Sequence, residues 1–449
     1  RLTVSPSHRL TVSPSHRLMS KHVLIIGAGL AGSLLAAALA RDGWTVAVYE
    51  RRSDPRRRGY IGGRSINLAV SARGIAGLAF AGLDKEILGS EAIAMPGRMI
   101  HPAPSGAGVP GTIFQPYSKN PTDAINSFSR GGLNLALIHA AARQPGVSFF
   151  FDHPCLDIDF AAPAAVFQVP TGTTRVEADL IVGADGAYSA VRAAMQRADR
   201  LEYSQSYLSH GYKELAIPAG GASQRDSESA SRGDAPGSFV MEPHALHIWP
   251  RGGAMMIALP NRDGSFTNTL FWPFEGEHSF AELEGELVAR RTLDLKAPPT
   301  KAERERVQAF FERHYPDAVP RMPTLVDDFF ANPTSSLVTV RCYPWQKGGK
   351  VVLLGDAAHA IVPFYGQGMN AAFEDVISLV TLLRGGKQGA ALEAFEAERK
   401  PNADAIADMA LENFVEMRDK TGRPEFLYRK KVEQAIHGLF EGRWTPQYN

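Results

Sequence analysis

The first residues able to do chemistry are glycines. Gly27, Gly29 and Gly32 fall in the spacing Gly-x-Gly-x-x-Gly, after the apolar run His22–Ile26 and at the start of Leu30–Arg41, a stretch of leucines and small residues. The first glycine permits a tight turn, the second lets backbone approach a pyrophosphate, and the third lets a helix pack closely on a strand. The start of such a helix offers unpaired amide donors to phosphate oxygens. Glu50 ends the next apolar run, Thr45–Tyr49, where a carboxylate can accept ribose hydroxyls. The pattern predicts a strand–helix–strand unit that binds a dinucleotide, against the blander reading of a glycine-rich turn. It leaves open which dinucleotide.

Two later strings favour a flavin. Gly183-Ala184-Asp185-Gly186 follows the apolar run Leu180–Val182 and precedes Ser189, Val191 and Arg192. Gly355-Asp356-Ala357-Ala358-His359 follows Val351–Leu354, and Pro363 and Gly366-Gln367-Gly368-Met369-Asn370 come next, ahead of a helical stretch from Ala371. An aspartate at a strand end, Asp185 or Asp356, can accept from a ribityl hydroxyl. A glycine-rich helix start can face the pyrimidine edge of a flavin and stabilise negative charge on the reduced ring. Neither a catalytic side chain nor a metal site is expected, and His359 is read as part of the flavin string.

Around these strings the chain must supply a scaffold. Its 449 residues suit two interleaved domains plus a tail. Hydrophobic residues make up 44% and charged residues 21%, an ordinary globular composition. A net charge of +1 gives no global field for nucleic acid or an anionic membrane. Cys155 and Cys342, far apart, form neither a disulfide framework nor a zinc signature, so a cytoplasmic protein is expected. The tandem RLTVSPSH of residues 1–16 has no apolar face, and residues 1–18 are read as a leader or added extension before Met19. Val23–Ala40 approaches the length of a membrane span, but its glycines argue for strand, turn and helix, and no membrane anchor is expected. Ala245–Pro250, Met255–Leu259 and Thr267–Trp272 read as antiparallel strands, Ala219–Gly237 as a mobile loop, and 281–315 and 389–440 as helical. The expected fold class is α/β. A Rossmann-like FAD-binding domain (19–95, 125–200, 330–390) is interleaved with an antiparallel-sheet substrate domain (96–124, 201–329), and a helical C-terminal segment (391–449) follows.

The three cofactor strings, in this order, resemble the para-hydroxybenzoate hydroxylase class of FAD-dependent aromatic monooxygenases. Longer strings narrow the resemblance to the kynurenine 3-monooxygenase family in its bacterial form. They include Gly63-Arg64-Ser65-Ile66-Asn67-Leu68-Ala69, Gly97-Arg98-Met99-Ile100-His101, His210-Gly211-Tyr212-Lys213-Glu214-Leu215 and Ala245-Leu246-His247-Ile248-Trp249-Pro250. Ile257-Ala258-Leu259-Pro260-Asn261, Ser265-Phe266-Thr267, Val362–Asn370 and Glu412-Asn413-Phe414-Val415-Glu416-Met417 complete them, and the likeness runs from about Lys21 to the last residue.

The resemblance implies NADPH- and O2-dependent hydroxylation of L-kynurenine through a flavin hydroperoxide. NADPH is a transient co-substrate, consistent with the absence of a second strong glycine fingerprint. It implies that Ala31, Tyr49, Glu50, Arg51, Ala69, Arg130, Asp356, Met369 and Asn370 contact FAD. Arg98 becomes the clamp for the substrate carboxylate, since a guanidinium binds one bidentately. Tyr117 is placed beside it, Asn413 and Tyr448 around the amino-acid moiety, and Met255, Ile257, Phe271 and Phe364 at ring-facing positions. The structural alternatives are a solvated charge for Arg98, ordinary hydrogen bonds for Tyr117 and Asn413, and core packing for Met255 and Phe271. Arg51, Arg52, Arg56, Arg57 and Arg58 form a solvated basic loop or attract NADPH phosphates. Three features depart from the family: Gly131-Gly132 after Arg130, Tyr365 after Phe364, and an end just past Tyr448, which implies a truncated tail. The alternatives are a related FAD monooxygenase acting on another aromatic acid and a non-hydroxylating flavoprotein.

Overall fold

A computed structural model describes residues 21–58, 67–105, 108–118, 120, 123–220, 238–294, 297–419 and 424–440. The leader, most of the 219–237 loop, Gly63–Ile66 and Tyr448 lie outside the described residues.

The strand–helix–strand unit forms as expected: His22–Ile26, Leu30–Arg41 and Thr45–Tyr49. Val23, Leu24 and Ile25 are fully buried, as befits a strand inside a parallel sheet with both faces covered. That sheet runs Gln346–Lys347, Val351–Leu353, Leu180–Gly183, His22–Ile26, Thr45–Tyr49 and Val147–Phe150, and only the first strand is antiparallel to its neighbour. Helix Leu30–Arg41 packs on helices Arg130–Ala142 and Gly368–Gly385. The helix at Arg130 starts despite the two glycines that follow, with the Ser129 hydroxyl accepting from the Gly132 amide at 3.4 Å.

Two of the three fingerprint glycines are demanded by the backbone. Gly27 has φ +106°, and a Cβ there would lie 2.4 Å from the Ala184 carbonyl oxygen. A Cβ on Gly32 would lie 2.0 Å from the Gly27 carbonyl oxygen. Gly29 differs: its φ is −72°, and a Cβ would meet nothing within 4 Å.

The second sheet has the strand order Ser335–Tyr343, Glu202–Ile217, Phe266–Pro273, Met255–Pro260, Leu246–Pro250, Gly97–Ile100 and Ile113–Pro116. Neighbours are antiparallel except Leu246–Pro250 beside Gly97–Ile100. Strand alternation divides its residues between two clusters. Trp249, Met256, Leu270 and Trp272 pack with Phe311 and Phe329 from helices Lys301–His314 and Leu325–Ala331. Ile248, Met255 and Phe271 belong to a separate cluster with Phe364 and Phe414.

Ser335–Tyr343 falls within the stretch expected in the cofactor domain, but it is the edge of this second sheet. Glu202–Ile217 is 16 residues long, and Phe266–Pro273 covers only its second half, His210–Ile217. The first half pairs with Ser335–Tyr343 instead. Two smaller sheets, Cys155–Asp159 with Ala164–Val169 and Gly172–Glu177, and Leu68–Val70 with Ile125–Phe128 and Ile93–Met95, complete the strands among the described residues. The tail is helix Gln388–Asp419, which contains Pro401, followed by helix Pro424–Leu439. No helix among the described residues is long and apolar enough to cross a membrane.

Candidate active site

A cavity of about 910 Å³ runs from the glycine turn to the second sheet, lined at one end by Gly29, Ala31 and Glu50 and at the other by Arg98, Phe271 and Asn413. At the first end, Ser33 N–H donates to the Gly29 carbonyl at 2.9 Å, which opens the helix ladder. The amides of Leu30, Ala31 and Gly32 therefore have no helical acceptor. The Glu50 carboxylate accepts from the Ala28 amide at 2.9 Å and the Arg52 amide at 3.0 Å. These two donors hold it at the cavity wall with lone pairs to spare.

A second helix start lies further along. The Ala371 amide donates to the Gln367 carbonyl at 2.8 Å, so those of Gly368, Met369 and Asn370 lack helical partners. The preceding Gly366 has φ +63°, and a Cβ there would stand 3.3 Å from the Ala69 Cβ. Ala69, Gly366, Gln367, Gly368 and Met369 all line the cavity. So does Asp356, placed after Gly355, whose φ is +61°.

Arg98 and Tyr117 come together at the far end. Arg98 pairs with Leu246 and Gln115 in the sheet register, and the Tyr117 amide donates to the Pro96 carbonyl at 3.0 Å. The guanidinium carbon sits 5.8 Å from the Tyr117 ring centre. Arg98 Nε and the Tyr117 hydroxyl are both buried without a hydrogen-bond partner. Burial pushes the Tyr117 hydroxyl up to about 12, against the opposing pull of Arg98, so it stays a donor. Met255 faces Phe271 in the sheet register, and the rings of Phe271 and Phe364 stand 4.9 Å apart, edge to face. Asn413 Nδ2 donates to the Phe364 carbonyl at 2.6 Å. Met255, Ile257, Phe271, Phe364 and Asn413 all line the cavity, so core packing and pocket lining are one role here.

Not every expected residue faces the cavity. Arg51 and Arg130 line it, whereas Gly27 and Gly32 shape the turn behind it. The Tyr49 ring is stacked between Phe150 and Phe167, at 4.5 and 4.2 Å, and only its carbonyl serves the turn, accepting from the Gly27 amide. Asp185 accepts from the Ala190 and Val191 amides at 2.6 and 3.3 Å, capping the next helix, while its neighbours Ala184 and Gly186 reach the cavity. Asn370 is fully buried and fastens loops. Its Oδ1 accepts from the Ser71 amide, and its Nδ2 donates to the carbonyls of Ala69 and Gly366. Arg56 is bound to Asp54 at 2.7 Å.

Two cavity residues, Ser71 and Asn134, went unread in the sequence, and Gln367 stood in the flavin string without a role of its own. The Ser71 hydroxyl, Asn134 Oδ1 and Gln367 Oε1 line the cavity with buried, unpartnered atoms. Asn134 had a signal, since it stands four residues after Arg130 on the same helix face. Free amides at two helix starts, room at Gly29, and these unmet polar atoms fit an elongated, phosphate-bearing, hydroxyl-rich cofactor such as FAD.

Comparison with known proteins bears on the same stretches. A family model described as "FAD binding domain" matches residues 20–210 and 288–410. Kynurenine 3-monooxygenase of Myxococcus xanthus is 48% identical over 433 residues, covering 95% of this chain and 84% of that protein. The Dictyostelium discoideum enzyme of the same name is 43% identical over 445 residues, covering 96% and 88%. Among solved structures, 2-methyl-3-hydroxypyridine-5-carboxylic acid oxygenase in its tetrameric form has a TM-score of 0.66 at 20% identity, covering 91% of this chain and 95% of that one. An arginine-to-glutamine variant of Klebsiella pneumoniae HpxO complexed with FAD also scores 0.66, at 18% identity over 93% and 97%. These two likenesses show the fold. The curated relatives show more: the chain belongs to the kynurenine 3-monooxygenase family of FAD-dependent monooxygenases.

Proposed function

We propose that the chain hydroxylates L-kynurenine to 3-hydroxykynurenine, consuming NADPH and O2, with FAD held in the cavity. FAD, when bound and reduced, supplies the oxygen-transfer chemistry. The aniline amine of kynurenine activates the adjacent ring carbon, so the protein need supply neither nucleophile nor metal. Its task is to orient the ring and exclude water.

The observation that carries this reading is a buried, unpartnered Arg98 Nε beside a buried, unpartnered Tyr117 hydroxyl, at one end of an apolar wall. An unmet buried donor is costly unless a ligand completes it. A cation and a hydroxyl at one end, with Met255, Ile257, Phe271 and Phe364 beyond, match an aromatic ring that carries a charged amino-acid tail. The family likeness adds Asn413, which lines the same cavity. The remaining FAD assignments, to Ala31, Glu50, Arg51, Ala69, Arg130, Asp356 and Met369, rest on the family likeness and on their place in the cavity wall. A reducing, cytoplasmic setting agrees with two free cysteines.

The test is NADPH oxidation with L-kynurenine, with the product identified by mass. One added oxygen on kynurenine, formed in step with NADPH loss, supports the reading. Product from anthranilate or salicylate but not kynurenine assigns the pocket to another aromatic acid. NADPH oxidation without any hydroxylated product refutes the hydroxylase reading.

A further inference from the structure

Behind the cavity wall lies a buried charged group that the reaction itself does not use. Asp375, on helix Gly368–Gly385, is fully buried. Its Oδ2 accepts from the Gly355 amide at 3.1 Å and pairs with His359 Nε2 at 2.5 Å. Its Oδ1 accepts from Arg399 Nε at 2.7 Å. Arg399, 6% exposed, also donates to the Ala371 carbonyl at 3.1 Å and to Glu374 at 3.2 Å. The carboxylate therefore holds both ends of one short turn, Gly355 by its backbone and His359 by its ring. Asp356 lies between them, in the cavity wall.

The third partner extends the arrangement. Arg399 sits on helix Gln388–Asp419, the same helix that carries Asn413. At about 1.5 Å per residue, the two are roughly 21 Å apart along the axis. Through Arg399 this helix thus grips the carboxylate that holds the Gly355–Asp356 turn, and through Asn413, beyond Pro401, it lines the cavity. The Gly368–Asn370 amides begin the very helix that carries Asp375, so the carboxylate also ties that helix start to the turn.

We propose that Asp375, gripped by Arg399 and His359, is a positioning residue. It sets the Gly355–Asp356 turn for FAD and joins the cofactor end of the cavity to the helix that bears Asn413. The proposal rests on the reading of the cavity as a FAD site. Amide nitrogen cannot replace either carboxylate oxygen, because it would meet the Arg399 Nε donor at one position and the donating Gly355 amide at the other. Asp375→Asn therefore breaks one of the grips, while Arg399→Lys keeps the charge but loses the planar fork.

The experiment compares the full-length parent with Asp375→Asn, Arg399→Lys, His359→Gln and a control, Phe311→Leu, which weakens the core behind the other sheet. FAD affinity is read by fluorescence titration, melting temperature at a low and a high FAD concentration, and kcat and KM separately for L-kynurenine. We expect Asp375→Asn to weaken FAD at least tenfold and raise the kynurenine KM. Its melting temperature should gain less from added FAD than that of the parent. Arg399→Lys should fall between the two. Phe311→Leu should lower melting at both FAD concentrations while leaving FAD affinity within about twofold. If Asp375→Asn melts lower but binds FAD as the parent does, its role is purely structural and the proposal is overturned. Should Asp375→Asn fail to fold, Arg399→Lys and His359→Gln decide: FAD affinity unchanged in both overturns the proposal, and affinity lost with melting at low FAD retained supports it. A parent that binds no FAD at all refutes the FAD reading itself, a separate outcome.

Discussion

Replacing Arg98 by alanine separates ligand recognition from folding. Arg98 Nε has no hydrogen-bond partner, and the guanidinium stands over the Tyr117 ring with no carboxylate paired to it among the described residues. The substitution therefore removes an unmet buried donor and breaks no ion pair, so folding stability should change by no more than about 1 kcal/mol. Substrate affinity should respond quite differently. Truncating one partner of a desolvated charge pair costs about 2–5 kcal/mol, which is roughly thirtyfold to several thousandfold in affinity. Arg98 is only partly buried, and solvent screening places the expectation near the lower end. Arg98→Lys should recover part of the loss, because a point charge lacks the planar fork. Tyr117→Phe should lose about one hydrogen bond, close to fivefold. With its hydroxyl held up at about 12, that loss should be constant from pH 6 to about pH 10. The assay is equilibrium binding of L-kynurenine to FAD-loaded protein, repeated with the decarboxylated analogue, alongside thermal melting. The parent should bind the analogue poorly, and the alanine variant should hardly distinguish the two. Equal losses for both compounds, or a large fall in melting temperature, would refute a direct carboxylate contact.

Other expectations follow from the same geometry. Gly29→Val has room for its side chain and an ordinary φ, so it should fold normally yet bind no FAD; Gly32→Ala, pressed against a carbonyl, should lose stability as well. A yellow Gly29→Val protein would remove the pyrophosphate from that turn. Glu50→Ala should weaken FAD by about 1.5–3 kcal/mol, or roughly ten- to 150-fold, measured by fluorescence. His247 is buried, hydrogen-bonded to the Glu242 carbonyl at 2.8 Å and to His101 at 2.9 Å, and burial pushes its pKa down to about 4. The unfolded chain takes up this proton below about pH 6.5, while the folded chain resists until about pH 4. Stability present above that window should therefore fall by about 3 kcal/mol across it. His247→Gln should flatten melting temperature against pH in this range, and an unchanged slope would show that His247 titrates normally.

The cofactor half of the fold was legible because its signals are local. A glycine spacing, a short apolar run and a carboxylate at a strand end predict the same turn the backbone adopts at Gly27, where φ is +106°. The antiparallel strands from Leu246 to Pro273 were legible by alternation, to within a residue or two at their ends. Glu202–Ile217 and Ser335–Tyr343 were not, since each is half-exposed and they recognise each other across the chain. The proposed substrate clamp came from family likeness alone; nothing local to Arg98 distinguishes it from a surface arginine. Asp185 and Tyr49 show the converse. Their strings were recognised, but where each side chain points depends on a helix start and an aromatic stack that spacing does not encode.

The order of strands in the parallel sheet has a consequence for how the protein is made. Leu180–Gly183 has His22–Ile26 on one side and Val351–Leu353 on the other, so the last of these partners is translated long after the first two. At about 5–20 residues per second, the ribosome needs roughly 10–30 s to travel between them. During that interval the nascent chain carries an apolar strand with one open edge, a template for pairing with other chains. The closing residues Gly355 and Asp356 emerge just behind the strand that seals it. The proposed site for FAD, whose wall also takes Gly366–Met369, is thus completed only after the sheet is, and a supply of the cofactor at that moment would favour the closed, non-aggregating product of synthesis.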